Sequence, residues 1–373
     1  MRGTALLLLF LSGYPYVVYP LIVCVISRIF PNAWIKGDVR PLVSVIVSVF
    51  NEEQIIEEKI RNTLSLQYPE DLLEVIVSSD GSTDKTNDLV SKFHDPRLVL
   101  RAFPERSGKT ACLNRVVPEA RGEIILFTDA NSMFGQDLLL KLVRNFNDPR
   151  VGLVTGWTRY AGPGGSGEAT GAYARLEKLT KQWESIVSSC VGADGAVFAL
   201  RKELYSHLED RDINDFVIPL QVVSKCLRVV LDPEVYCFEE PAGDELREFH
   251  RQVRITNRTL GAIMRNPGAL NPFKHGTFSF FLMSHKLLRF MVPFFFWGAF
   301  LIGLAYCWSS LFHALLLLPY GILVGLALAG MLGSTGGRAA NLSKVFLVTL
   351  CAQFLGWVRL AFGKSDTMWT PQR

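Results

Sequence analysis

Carboxylate and amide side chains follow two short apolar runs in the first third of the chain. Asp80 comes shortly after the run at residues 72–77, and Asp129 and Asn131 follow the run at residues 124–127. A short β-branched run that is bounded by Gly, Ser or Asp predicts a buried strand that ends in a turn. Open α/β sheets bind ligands at the carboxyl ends of such strands, and carboxylate and amide oxygens are the ligands that Mg²⁺ or Mn²⁺ prefers. The pattern therefore predicts a site for a metal-bound diphosphate.

Alternating strands and helices must position these side chains. The predicted elements are strands at residues 42–50, 72–77, 98–100 and 124–127, with helices at 55–64, 84–93 and 109–116. This alternation predicts an α/β domain with a mostly parallel sheet and helices on both faces. After residue 149 we expect a strand at 151–156, a flexible glycine-rich loop at 161–167, a long helix at 173–189 and a strand at 229–231.

Long apolar runs lie near both ends of the chain and account for its hydrophobic fraction of 49%. Residues 5–26 carry no charge and are long enough to cross a hydrocarbon core of about 30 Å. A signal peptide is the competing interpretation, but the run is too long and no small-residue cleavage site follows it. Residues 291–308 and 311–332 also lack Lys, Arg, Asp and Glu, and residues 345–362 form a third candidate that either spans or lies in the interface.

These runs divide the chain into five predicted parts. They are an N-terminal transmembrane helix at 1–30, a globular domain at 38–275, an interfacial helix at 278–290, a C-terminal transmembrane region of two or three segments at 291–362 and a polar tail at 363–373. The segment at 278–290 mixes bulky apolar and basic residues, which is typical of a helix at a membrane surface. An ordinary amphipathic helix packed on the globular domain has the same pattern. Arg28 and Lys36 follow the first apolar run, while only Arg2 precedes it, so the positive-inside rule predicts a cytoplasmic domain.

Charge and cysteine content argue against two classes of function. The net charge of +4 is small, and no basic run interleaved with aromatic residues is present, so we expect no nucleic-acid polymer as a partner. The seven cysteines show no CxxC or CxH spacing, which argues against a zinc site and a disulfide framework and suits a reducing compartment.

Three motifs, in this order and spacing, resemble those of membrane-bound family 2 glycosyltransferases of the group that includes cellulose and hyaluronan synthases. The motifs lie at residues 47–52, 79–84 and 128–131, and the resemblance extends over about residues 42–256. It implies an inverting enzyme with the GT-A nucleotide-diphospho-sugar transferase fold, flanked by transmembrane helices. It also implies a nucleotide-diphosphate sugar donor, expected to be UDP-linked, with Mg²⁺ or Mn²⁺ as cofactor and a polysaccharide or lipid-linked saccharide as acceptor. The expected location is a bacterial inner membrane, with the lipid bilayer as a partner.

The same resemblance assigns roles to the residues at the first strand ends. Asp129 would ligate the divalent cation together with Asn131, which stands where the family's Asp-x-Asp motif has its second aspartate. The amide oxygen can still ligate, but the lost charge should weaken metal binding. Asp80 would bind the nucleotide base, and Asn51 and Glu52 would form the loop around the nucleoside. Turn chemistry alone is the structural alternative for these side chains.

Four further residues are assigned in the same way. Lys109 resembles the lysine of the family's Gly-Lys-x-x-x-Leu-Asn stretch, and a P-loop is excluded because Phe103 stands where that motif needs a glycine. Asp215 takes the place of the last residue of the Thr-Glu-Asp motif, the general base, although Ile-Asn replaces Thr-Glu. Asp194 would lie near the acceptor. Arg254 alone matches the Gln-x-x-Arg-Trp motif, so transfer of a single sugar is as well supported as processive polymerisation.

Two alternatives remain open. A polyprenyl-phosphate sugar transferase would share residues 43–131, but that group typically lacks the extension that carries Asp194 and Asp215. A non-catalytic membrane subunit that keeps the fold is the alternative from another class, and Asn131 and the altered motif at residues 251–255 motivate it. Few membrane segments are available to one chain, which leaves an oligomer open.

Overall fold

The computed structural model describes residues 1–160, 167–240, 245–331 and 337–364, without the side chains of residues 167–173. Within this part of the chain, eight strands form one sheet in the order β3-β2-β1-β4-β7-β6-β8-β5. The strands are β1 (Val43–Val49), β2 (Leu73–Asp80), β3 (Leu98–Phe103), β4 (Ile124–Asp129), β5 (Met133–Phe134), β6 (Val151–Tyr160), β7 (Phe198–Arg201) and β8 (Arg228–Glu239).

The first four strands form the parallel half of the sheet, as predicted. β1 pairs in parallel with β2 and β4, and β2 pairs in parallel with β3. All seven residues of β1 are buried, which is typical of a strand covered on both faces. Because the strands are parallel, the ends of β2 and β4 at Asp80 and Asp129 lie at the same edge of the sheet.

The second half of the sheet is mixed, while four of the seven strand pairs in the described sheet are parallel, in agreement with the mostly parallel sheet expected from the sequence. β7 runs antiparallel to both β4 and β6, and β5 runs antiparallel to β8, while β6 and β8 are parallel. β5 and β7 were not predicted because runs of two and four residues are too short to give a periodic signal. β7 pairs Phe198 with Phe127 near the end of β4, so the loop before β7 lies at the same edge as Asp129.

Helices cover both faces of the sheet, as predicted. The helices of the globular domain are α3 (Ile56–Leu64), α4 (Thr86–Ser91), α5 (Lys109–Glu119), α6 (Leu138–Val143), α7 (Gly167–Val187), α8 (Asn214–Ser224), α9 (Glu245–Arg265) and the short α10 (Pro272–His275). One buried cluster contains Leu113 of α5 and Ile218 of α8. The cluster on the other face contains Ile60 of α3 and Leu142 of α6.

The apolar ends of the chain form helices that could cross a membrane. α1 (Arg2–Gly13) and α2 (Val18–Ile29) are bent by 60° and are long and apolar enough only as a pair. α11 (Thr277–Phe281), a π-helical turn (Leu282–Leu287) and α12 (Leu288–Tyr306) run on continuously, and α13 (Leu311–Met331) and α14 (Gly337–Ala361) follow. By length and composition, three helices of the described C-terminal part could span, or four with the bent pair.

The expected boundaries differ from these elements in two places. The segment at 278–290 is not a separate helix, because it continues through the π-helical turn into α12. The expected single helix at 1–30 is broken at residues 14–17, next to Pro15. Residues 161–166 of the expected glycine-rich loop and residues 365–373 of the expected tail lie outside the described residues.

Candidate functional site

A cavity of about 740 Å³ opens at the carboxyl edge of the sheet. Seven of the nine site residues expected from the sequence line it: Glu52, Lys109, Asp129, Asn131, Asp194, Asp215 and Arg254. They come from segments up to 202 residues apart, since Glu52 follows β1 and Arg254 lies on α9. The fold therefore gathers these side chains around one space, which is large enough for a small ligand.

Asp129 and Lys109 form an ion pair on the cavity wall. Asp129 ends β4, and Lys109 is the first residue of α5. The Nζ of Lys109 donates to Oδ1 of Asp129 at 2.6 Å, and the side chains are only 13% and 21% exposed. Both charges are thus held at the place where a strand end meets a helix N-terminus.

Lys59 supports the turn that carries Asp129 and Asn131, a role not expected from the sequence. Its Nζ donates to Oγ1 of Thr128 at 3.1 Å and to the carbonyl oxygen of Ser132, and it lies 3.6 Å from the ring centre of Phe134. Burial lowers the pKa of Lys59 to about 7, against the attraction of nearby acidic groups. A lysine between Ile56 and Ile60 on the buried face of α3 was the available signal.

Glu239 lines the cavity and was not expected from the sequence. It ends β8 and accepts a hydrogen bond from Oγ of Ser132, because β5 and β8 pair Met133 with Phe238 and bring these segments together. Burial raises the pKa of Glu239 to about 7, and the negative charges of Asp129 and Asp194 act in the same direction. Glu239 therefore adds a carboxylate to the wall that carries Asp129.

Asp129, Asn131 and Glu239 are the oxygen donors that could hold a divalent cation. Among the described residues, no group of three or more His, Cys, Asp or Glu side chains gathers closely enough to bind a metal ion unaided. Two carboxylates and one amide suit a hard cation that takes its remaining ligands from water or a substrate phosphate.

Asp215 lies in the first turn of α8 and lines the same cavity. Burial raises the pKa of Asp215, although the positive charges of Lys109 and Lys181 oppose the shift. A Cβ built on Gly195 would lie 3.0 Å from Oδ2 of Asp215, so the missing side chain at residue 195 leaves space for this carboxylate. The backbone N–H of Ala193 donates to the carbonyl oxygen of Asp215 at 2.7 Å.

Asp194 lines the cavity and also holds the loop in front of β7. Its carboxylate accepts from the backbone N–H of Thr158 at 2.9 Å, from the Thr158 hydroxyl at 3.0 Å and from the N–H of Ala196 at 3.1 Å. The loop at residues 191–195 is thereby fixed between β6 and the start of α8.

Arginines of α9 form another wall of the cavity. Arg251, Arg254 and Arg258 follow a spacing of three and four residues, which places them on one helix face. Arg258 donates to the carbonyl oxygens of Asp210, Arg211 and Asp212. It thereby fixes the backbone just before Asp215, while all three arginines add positive charge to the cavity wall.

Asn51 and Asp80 are not among the residues that line the cavity. Asn51 has a positive φ of 54° and its Oδ1 accepts from the N–H of Thr83 at 2.8 Å. The Asp80 carboxylate accepts from the N–H groups of Ser107 at 2.6 Å and Gly108 at 2.9 Å. In this structure both side chains hold the loops that surround the cavity, and Asp80 fixes the N-terminus of α5 that carries Lys109.

Comparison with protein families matches residues 44–208 to the glycosyl transferase family 2 model. Beta-monoglucosyldiacylglycerol synthase of Nostoc sp. is 38% identical over 118 residues, which are 31% of this chain and 25% of that protein. Poly-beta-1,6-N-acetyl-D-glucosamine synthase of Staphylococcus aureus is 30% identical over 116 residues, 31% of this chain and 28% of that protein. The matched region thus spans only about a quarter of the length of these relatives.

Comparison with solved structures finds a similar fold over nearly the whole chain. A mannosyltransferase from Pyrobaculum calidifontis, in complex with GDP-Man and Mn²⁺, superposes with a TM-score of 0.75 at 24% identity. The match covers 98% of this chain and 99% of that one, so it includes the helices at both ends. The fold class expected from the sequence, a GT-A domain with flanking apolar helices, is confirmed.

Proposed function

We propose that this chain transfers a sugar from a nucleotide-diphosphate donor to a polysaccharide or lipid-linked saccharide acceptor, because residues 44–208 match the glycosyl transferase family 2 model. The observation that carries the proposal is the single cavity into which seven of the nine expected site residues project. The transfer inverts the anomeric centre and takes place at the cytoplasmic face of a membrane. A bacterial inner membrane is the proposed location, in line with the bacterial relatives and the basic residues after the first apolar run.

Asp215 acts as the general base in this proposal. A base must take the proton of the acceptor hydroxyl as that oxygen attacks the sugar, and a carboxylate gains basicity when it is removed from water. The raised pKa of Asp215, caused by burial, fits this task. The residue lines the cavity, and the absence of a side chain at Gly195 leaves room for its carboxylate. Asp194 borders the acceptor.

Cationic side chains stabilise the departing diphosphate. Lys109 and Arg254 line the same cavity as Asp215. Charge-assisted hydrogen bonds from such groups stabilise the negative charge that develops on a leaving group in a site of low dielectric. Lys109 is in addition fixed at the N-terminus of α5, where it pairs with Asp129.

We also propose that Asp129 and Asn131 hold Mg²⁺ or Mn²⁺, with Glu239 as a further carboxylate on the same wall. A bound cation of this kind neutralises diphosphate charge. The similar mannosyltransferase was solved with Mn²⁺, which supports the assignment. Asn51, Glu52 and Asp80 shape the nucleoside end of the site, directly or through the loops that they hold.

The donor is proposed to be UDP-linked, and a GDP-linked sugar is the second candidate because the similar mannosyltransferase binds GDP-Man. A polyprenyl-phosphate acceptor is the alternative within the same class of enzyme. The relatives named above make a glucosyldiacylglycerol and a polysaccharide, which supports a lipid or saccharide acceptor here.

A donor panel tests the proposal. Detergent-solubilised full-length protein would be incubated with UDP-, GDP- and dTDP-sugars and with Mn²⁺, Mg²⁺ or EDTA, in the presence of glycolipid and oligosaccharide acceptors. We expect release of one nucleoside diphosphate that requires the cation and increases with acceptor. No binding and no turnover with any donor would instead support a non-catalytic membrane subunit.

A further inference from the structure

A buried carboxylate outside the cavity connects three separate parts of the chain. Glu184, on α7, is fully buried. One of its oxygens accepts from the hydroxyl of Tyr19 at 2.6 Å and from Nδ1 of His285 at 2.6 Å. The other oxygen accepts from the backbone N–H of Val191 at 3.0 Å. Tyr19 and His285 are themselves 0% and 3% exposed.

The partners of Glu184 belong to the two apolar ends of the chain and to the cavity wall. Tyr19 lies on α2, and His285 lies in the π-helical turn that leads into α12. π-Helical turns inside longer helices are often found at functional sites. Val191 begins the loop at residues 191–195, which lines the cavity at Asp194 and Gly195.

This loop lies directly beside the proposed base. The N–H of Ala193 donates to the carbonyl oxygen of Asp215, and Gly195 leaves the space that the Asp215 carboxylate occupies. Lys181, one turn before Glu184 on α7, donates from Nζ to the carbonyl oxygen of Ala193 at 3.4 Å. Helix α7 therefore holds the loop at two points, Val191 and Ala193.

A purely space-filling role does not require a carboxylate here. Burying a charged group is unfavourable unless all its hydrogen bonds are made, and an apolar residue of similar volume is often equally stable. Glu184 is fully buried and is not among the residues that line the cavity. What distinguishes it is the set of three donors that it brings together.

We propose that Glu184 is a positioning residue that connects the loop at residues 191–195 to α2 and to the π-helical turn. The loop beside Asp215 is correctly placed only when α2 and the π-helical turn are both packed against Glu184. The inference rests on the proposed function for the role of Asp215. It assigns to the membrane segments a part in catalysis beyond attachment.

A matched pair of tyrosine variants tests the inference. Tyr19→Phe removes the hydroxyl that donates to Glu184 and keeps the ring. Tyr14→Phe is the control, because the Tyr14 hydroxyl lies at the same junction but pairs with Ser284 at 3.1 Å and not with Glu184. Glu184→Gln is the second test variant, because it keeps the shape but loses the charge that attracts the three donors.

Three readouts would be compared on the full chain in detergent. We expect Tyr19→Phe and Glu184→Gln to lower kcat for transfer by about tenfold, the effect of one hydrogen bond to a charged group, with Tyr14→Phe unchanged. UDP and GDP affinity in Mn²⁺, measured by calorimetry, should stay within threefold in all three variants. Hydrogen–deuterium exchange of the peptide at residues 190–196 should rise in the two test variants only.

The outcomes separate this inference from the proposed function. Equal effects of Tyr19→Phe and Tyr14→Phe, or a joint loss of nucleotide affinity and kcat, would overturn the positioning role. Unchanged exchange at residues 190–196 in Glu184→Gln would overturn it as well. Hydrogen–deuterium exchange needs no substrate, so it shows whether Glu184 holds the loop even if no donor is turned over. Absence of turnover with every donor would reject the proposed function but not the positioning role.

Discussion

The oxygen donors after β4 carry one negative charge fewer than a pair of aspartates, because residue 131 is an asparagine. Glu239 lies on the same wall and is joined to the turn through Ser132. Its carboxylate could restore the missing charge when a cation is bound. This arrangement places the third oxygen donor on β8, more than a hundred residues after the motif.

Glu239→Gln is expected to weaken the binding of Mn²⁺ by about tenfold, since removal of a charge at or next to a metal ligand typically costs 10–100-fold in affinity. Electron paramagnetic resonance titration of Mn²⁺ into the full-length protein measures this directly. Glu240→Gln is the matched control, because Glu240 is the exposed neighbour at the cavity rim. Equal Mn²⁺ affinities in the two variants would exclude Glu239 from the metal site.

The pH dependence of transfer should report Asp215. A general base must be deprotonated, and burial raises the pKa of Asp215 above its ordinary value of 3.8. Activity should therefore fall as the pH decreases through this raised pKa, earlier on acidification than an ordinary aspartate would allow. A profile of kcat/KM against pH measures the acid limb, and a limb at or below pH 3.8 would contradict the assignment.

Motif spacing was sufficient to predict seven of the residues that line the cavity, but not Glu239 or the supporting Lys59. Lys109, Asp129 and Asp215 follow recognisable turns and helix starts, where sequence and position are linked locally. Lys59 lies on the apolar face of α3 and donates to Thr128 and Ser132, whereas Glu239 ends β8 and reaches the site because β5 pairs with β8. That pairing involves two residue pairs, too few to be read from the sequence.

At the scale of elements, the short antiparallel strand β7 positions one of the loops that line the cavity. β7 returns the chain along β4 and places the loop at residues 191–195 beside the end of that strand. The parallel strands β1 to β4 were predictable from their apolar runs, since a strand buried on both faces is apolar along its length. The antiparallel β7 was not, because a strand of four residues is too short to give a periodic signal.

Gly195→Ala tests the close approach of this loop to α8. The added methyl group would lie 3.0 Å from Oδ2 of Asp215 and would displace the carboxylate by a few tenths of an ångström. We expect kcat to fall about tenfold or more, since small displacements of reacting groups cost up to about a hundredfold. The melting temperature should change little.

Gly268→Ala provides the control for this substitution, because no atom lies within 4 Å of a Cβ at that position. Its kcat should equal that of the unmodified protein. A Gly195→Ala variant with full activity would show that the Asp215 carboxylate does not need the space beside residue 195.

At the scale of the whole molecule, the apolar helices and the globular domain share packing. Tyr19 of α2 and Phe281 of α11 belong to the same buried cluster as Leu113 of the domain. By contrast, Leu301 and Ile322 on α12 and α13 are about 60% exposed, as expected of lipid-facing side chains. The apolar ends therefore carry exposed apolar side chains as well as residues that pack on the domain.

Helix α14 lies along α9 for much of its length. Lys344 pairs with Glu245 at 2.6 Å, and Asn257 donates to the carbonyl oxygen of Gly356 at 3.3 Å. Gly356 lets the two helices approach closely, because a Cβ there would lie 2.8 Å from Thr256. Since α9 carries the arginines of the cavity, α14 is expected to lie at the membrane surface and support α9.

A topology reporter tests this arrangement. With α12 and α13 as a hairpin and α14 at the surface, the C-terminal end of the chain lies on the same side as the globular domain. A green fluorescent protein fused after Arg373 should fluoresce in a bacterial host, and an alkaline phosphatase fused there should be inactive. The opposite pattern would mean that α14 spans the membrane.

The central claim, that Asp215 is the base of a sugar transfer in this cavity, is tested most directly by Asp215→Asn. The matched control is Asp210→Asn, which makes the same change at an exposed position five residues earlier. Donor-dependent release of nucleoside diphosphate, measured with acceptor, should fall at least about a hundredfold in Asp215→Asn and stay unchanged in Asp210→Asn.

The stability of the variant makes this measurement decisive. Burial raises the pKa of Asp215, so its ionised carboxylate destabilises the folded state at neutral pH. Replacement by a neutral asparagine should therefore not lower the melting temperature. A folded Asp215→Asn protein that binds nucleotide but does not transfer is the predicted result. Transfer at the unmodified rate by the same protein would contradict the account.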